Sequence, residues 1–289
     1  MKYLILGNGY VANLFKDSIG SEAEISTVRI ENYDALKAEI QSKKPDVVIN
    51  TAGKTGRPNV DWCEDHKLET IVSNVYGPLT ILRVCEELGQ YWAHVGSGCV
   101  YESKTTKDVY NEKDQPNFFD SFYSRTKAWS EGMLKEFNVL QLRLRMPLDD
   151  MPGPRNFVTK ITKYEKVINI PNSISIMEDF VKAAQELIAK KATGIFNVTN
   201  PGSITHAEIL DIYKEIVDQN FKYTIFSLEE MEKITKARRS NCILSNQKME
   251  DFGVHMRPVK EAVRDMLVKY KANMDAGKIR QDKAALQKA

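Results

Sequence analysis

The sequence predicts an α/β protein built on a doubly wound parallel sheet, with a smaller C-terminal substrate-binding lobe. Three observations carry that prediction. Short apolar runs alternate with longer helical patterns through the first half, the signature of βαβ units in a sheet covered on both faces. A glycine-rich turn, Gly7-Asn8-Gly9-Tyr10-Val11-Ala12, follows the first apolar run directly. The pattern then breaks at residues 146–155, where three prolines and a glycine read as a loop leaving the sheet.

Taken in order, residues 2–6, 24–29, 46–49, 91–96 and 139–143 read as strands. Helical spacing covers 10–19, 33–43, 68–88 and 122–135 between and after them. A helix at 176–191 and a strand at 194–198 rejoin the sheet, and helices follow at 207–217, 228–236 and 259–272. The expected organisation is a Rossmann-type dinucleotide-binding domain over 1–145, completed by 174–200. The substrate-binding lobe takes 146–173 and 201–271. The lysine-rich tail 272–289 has few large apolar residues and is expected to fray.

Composition narrows the function classes. With 42% hydrophobic and 28% charged residues, the 289-residue chain has the make-up of an ordinary globular protein. Its net charge of +2 gives no push toward nucleic acid, and no basic stripe is visible. No apolar run approaches the roughly 20 residues of a membrane span. The start, a short strand running into Gly7, lacks the longer apolar core of a signal peptide. The four cysteines, Cys63, Cys85, Cys99 and Cys242, form neither a CxxC pair nor a zinc-spaced cluster. A reducing compartment, the cytoplasm, is therefore expected, with no disulfide and no metal.

The glycine turn has a mechanism. Gly7 permits a tight bend, Gly9 lets the backbone approach a pyrophosphate, and Ala12 keeps the helix close to the strand. Asn8, Tyr10 and Val11 complete the contact surface at the helix start. The second strand ends on Arg29 where an acid would suit a bare ribose, and an arginine suits a 2′-phosphate. NADPH is thus the expected cofactor. The bland alternative is a solvent-facing arginine.

Tyr123 and Lys127 lie four apart on a helical segment, so they share one face. A nearby ammonium favours the phenolate and is expected to lower the tyrosine pKa toward neutrality. Ser97 ends the strand before that helix, and strand C-termini face the ligand crevice in a doubly wound sheet. A dinucleotide turn, a strand-end serine and a Tyr/Lys helix agree on one chemistry, carbonyl reduction.

These residues resemble the extended short-chain dehydrogenase/reductase family. Asn50-Thr51-Ala52-Gly53 and Asn74-Val75-Tyr76-Gly77 match two further signatures of it. Longer motifs resemble its plant-type bifunctional nucleotide-4-keto-6-deoxyglucose 3,5-epimerase/4-reductases. They are Thr55-Gly56-Arg57-Pro58-Asn59-Val60-Asp61-Trp62-Cys63-Glu64, Arg145-Met146-Pro147, Pro154-Arg155-Asn156-Phe157-Val158-Thr159-Lys160 and Arg239-Ser240-Asn241. The first turn departs from that subfamily, being one residue shorter and ending in Ala12.

The resemblance implies a UDP- or dTDP-linked 4-keto sugar as substrate. It implies Tyr123 as proton donor, Lys127 as its tuner and Ser97 as carbonyl partner, with Cys99 and Lys160 serving epimerisation. Asn50, Ala52, Gly53 and Asn74 join the cofactor set, and Thr55, Arg57, Arg155, Asn156 and Arg239 the substrate set. Cys99, two residues beyond Ser97, is expected on the same strand face. Cys63, Cys85 and Cys242 read as structural, and the scattered histidines show no partner. A homodimer is the expected assembly. A 4-reductase without epimerase activity and a non-catalytic NADP-binding subunit are the competing readings.

Overall fold

Every apolar run of the alternating pattern becomes a strand of one six-stranded sheet. The computed structural model describes residues 1–105 and 107–280. The strands are β1 (Tyr3–Leu6), β2 (Ala23–Ile25), β3 (Val47–Asn50), β4 (Trp92–Ser97), β5 (Leu140–Leu144) and β6 (Gly194–Asn197), in the order β6-β5-β4-β3-β1-β2. All five pairings are parallel. The chain steps from β1 to β2 on one side and to β3 on the other. The switch point of the winding therefore lies between β1 and β3, and their carboxyl ends open the ligand crevice.

Both sheet faces are covered, which is why the strands read as continuous apolar runs. Ile5, Ile49, Val95 and Leu142 point to a core closed by α1 (Tyr10–Ile19) and by a helix at Met177–Ala189. Leu4, Leu6, Val48 and Trp92 point the other way, against α2 (Tyr33–Lys43) and α3 (Gly77–Leu88). A further helix, α4 (Phe122–Leu134), adds Leu134 to that core. A separate cluster, with Leu148, Val158, Ile176, Ile209, Val263 and Leu267, forms beyond the carboxyl edge around helices His206–Ile216 and Val259–Asp275. Among the described residues no helix is long and apolar enough to cross a membrane.

Three sequence expectations change. The run 68–88 is not one helix: Lys67–Ile71 is α-helical, Val72–Tyr76 is a π-turn, and α3 follows. Pro78 has no N–H to return to the carbonyl four residues back, and the widened turn absorbs the misfit. The strand expected to reach Arg29 stops at Ile25, because the Ser26 hydroxyl accepts the Val28 N–H at 3.0 Å and turns the chain. The tail does not fray at 272. Its helix runs to Asp275, and Arg280 is anchored by Asp149 (2.9 Å) and Asp17 (2.8 Å). Residues 281–289 of the expected tail lie outside the described residues.

Candidate active site

The carboxyl edge of the sheet gathers the reactive side chains. Gly7 adopts a left-handed φ of 95°, and a Cβ there would stand 2.9 Å from the Ala52 backbone nitrogen. The backbones after β1 and β3 thus touch at the switch point, and only glycine permits it. Gly9 is different. Its φ of −97° suits any residue and a Cβ would meet nothing within 4 Å, so neither strain nor packing requires glycine. What the missing side chain leaves is open space before α1, whose first N–H groups have no side-chain cap and whose first turn holds no acid. That arrangement fits a pyrophosphate at the positive end of a helix. Tyr10 and Val11 pack inward on the core beneath it, and Asn8 is exposed.

Arg29 does not stand at a strand end. It lies in the following loop, 78% exposed along its side chain, and is held by Glu31 at 2.7 Å. Asn50 and Asn74, expected in the cofactor set, are both buried, Asn50 at the end of β3 and Asn74 in the π-turn. Asn50 accepts from Ala52 N–H at 3.0 Å, fixing the bend that carries Ala52 and Gly53. Asn74 accepts from Lys54 N–H at 2.7 Å, returns a bond to its carbonyl, and reaches Thr126 on α4 at 3.2 Å. Both side chains hold the loop after β3 through hydrogen bonds.

Helix α4 starts cleanly because Ser121 caps it, accepting the Ser124 N–H at 3.1 Å. Tyr123 is half-buried in the first turn and Lys127 is buried one turn on. The Lys127 ammonium donates to the Val95 carbonyl at 3.2 Å and faces His94 Nε2 at 3.5 Å. His94 in turn meets Asn50 at 2.9 Å through Nδ1. This buried Asn50–His94–Lys127 chain corrects the reading of the histidines as partnerless. A lone histidine on an alternating strand carries no sequence signal for it.

Burial lowers Lys127 to about 8, and Glu131 limits the fall. Burial also pushes the Tyr123 phenol up, and Cys99 adds to the rise, while the Ser97 hydroxyl beside it pulls down. The expected lowering of the phenol by Lys127 is thus not what this site shows, since desolvation outweighs it.

Cys99 is not on the extended strand. The strand β4 stops at Ser97, Gly98 N–H bonds Leu144 at 2.9 Å, and the buried Ser97 hydroxyl accepts the Cys99 N–H at 3.1 Å. A turn, not a pleat, links Ser97 to Cys99. Cys99 is half-buried, whereas Cys63, Cys85 and Cys242 are fully buried, and all four are free. The cation touching Cys99 is Arg145, with Nη1 at 2.7 Å from Sγ.

Of the substrate set, Thr55 and Arg57 are exposed on the loop after β3. Arg155 reaches across to that loop and donates to the Gly56 carbonyl at 3.0 Å. Lys160 is half-buried on the short helix Phe157–Ile161, whose Phe157 ring packs 5.0 Å from the His206 imidazole. Asn156 and Arg239 have partners within the fold. Asn156 is buried and caps that helix, accepting from Val158 N–H at 2.8 Å while its amide donates to the Asp149 and Met151 carbonyls. Both of its amide N–H groups are used within the fold. Arg239 gives its guanidinium fork to Asp61 at 2.7 and 2.9 Å, and its charge is neutralised there.

A family model described as the RmlD substrate binding domain matches residues 5–272. The chain is 42% identical over 281 residues to the trifunctional UDP-glucose 4,6-dehydratase/UDP-4-keto-6-deoxy-D-glucose 3,5-epimerase/UDP-4-keto-L-rhamnose-reductase RHM1 of Arabidopsis thaliana, covering 93% of this chain and 41% of that protein. It thus spans about two fifths of the length of such relatives. It is 43% identical over 242 residues to the bifunctional dTDP-4-dehydrorhamnose 3,5-epimerase/dTDP-4-dehydrorhamnose reductase of the same plant, covering 81% of this chain and 80% of that one. The solved structure of the L780 UDP-rhamnose synthase from Acanthamoeba polyphaga mimivirus matches at a TM-score of 0.89 and 31% identity, over 93% of this chain and 99% of that one.

Proposed function

This chain belongs to the RmlD substrate binding domain family, and from that premise we propose that it is an NADPH-dependent nucleotide-sugar 3,5-epimerase/4-reductase. Its substrate is a UDP- or dTDP-linked 4-keto-6-deoxy-D-glucose and its product the nucleotide-linked L-rhamnose. UDP is supported by the UDP sugars for which the RHM1 and L780 relatives are named. One observation carries the reading: a half-buried thiol, Cys99, stands beside the Ser97 and Tyr123 of a carbonyl reductase.

The chemistry follows from the substrate. A carbonyl at C4 acidifies the protons at C3 and C5. Ser97 and Tyr123 hydrogen-bond O4, where charge develops in both steps. At each of these two carbons Cys99, as thiolate, removes the proton from one face and Lys160 returns one to the opposite face. For reduction, Tyr123 delivers a proton to O4, and Lys127 supplies positive charge behind it. NADPH, when bound, supplies hydride to C4. Gly7, Gly9 and the open start of α1 would hold its pyrophosphate, and Tyr123 and Lys127 its nicotinamide ribose.

Supplying the unepimerised 4-keto sugar and NADPH in deuterated water tests this. Deuterium enters at C3 and C5 and a rhamnosyl nucleotide forms without a second enzyme. Cys99→Ala loses the exchange but still reduces pre-epimerised sugar. If product forms only after a separate epimerase is added, the chain is a 4-reductase alone. Undiminished turnover in Tyr123→Phe would remove Tyr123 as the proton donor, whereas NADPH binding with no turnover of either sugar would leave a cofactor-binding subunit as the better reading.

A further inference from the structure

Arg145 follows the last residue of β5 and is 2% exposed, so its guanidinium is buried as a permanent cation. Among the described residues no carboxylate pairs with it. Its acceptors are the Asn172 amide oxygen at 2.5 Å, the Ser240 carbonyl at 2.6 Å and Cys99 Sγ at 2.7 Å, and its buried Nε has no partner. A buried charge left without a counter-ion is costly. The backbone also turns sharply here. Met146, next in the chain, holds a φ of 39°, a left-handed conformation that side chains other than glycine rarely adopt, and it ends no helix. The fold accepts a strained residue to aim Arg145 back beneath the site.

Which neighbour supplies the negative charge is decided by chemistry. The groups around the pair are Tyr123 and Lys127 from α4, Cys242, and His206 on the lobe helix. Cys242 donates its thiol proton to the Gly98 carbonyl at 3.3 Å and burial pushes it up, so it stays neutral. Tyr123 is pushed up as well, and His206 is lowered to about 4 by burial, so it is uncharged near neutrality. Lys127 is a second cation. Cys99, half-buried and receiving an Arg145 N–H, is the remaining group able to carry the anion.

We propose that Arg145 holds Cys99 as a thiolate and aims its sulfur into the crevice. Arg145 is thus a positioning residue for proton abstraction at C3 and C5. The consequence for the reaction rests on reading Cys99 as the epimerisation base, whereas the state of the sulfur does not.

The rate of Cys99 alkylation by iodoacetamide across pH, followed on the Cys99 peptide of the native enzyme by mass spectrometry, reads the thiolate directly. Wild-type Cys99 is labelled faster near neutral pH than the thiol of a short cysteine peptide. In Arg145→Met that labelling slows roughly tenfold. Arg145→Lys, which keeps a cation, restores part of the lost rate. The buried Cys63, Cys85 and Cys242 stay unlabelled in a folded variant and report any loosening. An unchanged labelling rate in Arg145→Met overturns the proposal. So does a wild-type rate no faster than that of the short peptide, which needs no variant and decides if Arg145→Met fails to fold. Fast labelling in an enzyme that exchanges no deuterium at C3 or C5 sinks the epimerase reading alone.

Discussion

At the scale of single residues, the site is governed by where charge can persist without water. Lys127 sits 6% exposed between a carbonyl and a neutral histidine, and burial brings it down to about 8. Below that value it is an ammonium able to steady a phenolate on Tyr123. Above it the amine is neutral and that support is gone. The kcat/KM for 4-keto reduction should therefore hold at neutral pH and decline above about 8, roughly tenfold per unit. A pH series on pre-epimerised substrate measures the break, and Lys127→Met should remove it together with most of the rate. A profile flat to about pH 10 would mean that Lys127 keeps the value of a free lysine.

Among the elements, the glycine turn separates two duties that the sequence motif presents as one. Gly7 is demanded by the fold, through its left-handed φ and the 2.9 Å approach to Ala52. Gly9 is demanded by neither. Gly7→Ala should lower stability by about 1–3 kcal/mol, the cost typical of a strained backbone position. Gly9→Ala should fold with an unchanged Tm but bind NADPH about tenfold more weakly, because its methyl fills the space before α1. Thermal melts paired with cofactor titrations tell the two apart. Equal loss of stability in both variants would show that the turn is structural throughout. The π-turn at Val72–Tyr76 belongs to the same scale. It buries Asn74 where its amide clasps the loop after β3 to α4.

For the whole molecule, the question is what ties the lobe to the sheet. Arg280, five residues past the last helix, reaches Asp149 in the loop leaving the sheet and Asp17 on α1. Its backbone N–H also bonds the Pro152 carbonyl at 2.7 Å. Asp149 is mostly buried, and burial raises its carboxyl to about 7 even with Arg280 pulling it down. Arg280→Ala should leave that carboxyl without its cation and cost about 1–3 kcal/mol, a Tm loss of several degrees for a chain of this size. Differential scanning calorimetry measures it, and an unchanged Tm would make the strap incidental.

The sequence by itself determined the sheet, the Gly7–Ala12 turn and the Tyr123–Lys127 pair, because these depend on local spacing. Strand periodicity, a glycine-rich bend and an i,i+4 helix face are all properties of neighbours in the chain. Tertiary structure decided the rest. Arg145 meets Cys99 across 46 residues, and His94 meets Lys127 across 33. The fork of Arg239 goes to Asp61 across 178. No local pattern encodes such pairings, since a buried charge takes whatever partner the closed fold presents. That is why the braces that Asn156 and Arg239 make within the fold left no sign in the sequence. It is also why Arg145, a residue of a motif with no assigned duty, became the neighbour that defines Cys99.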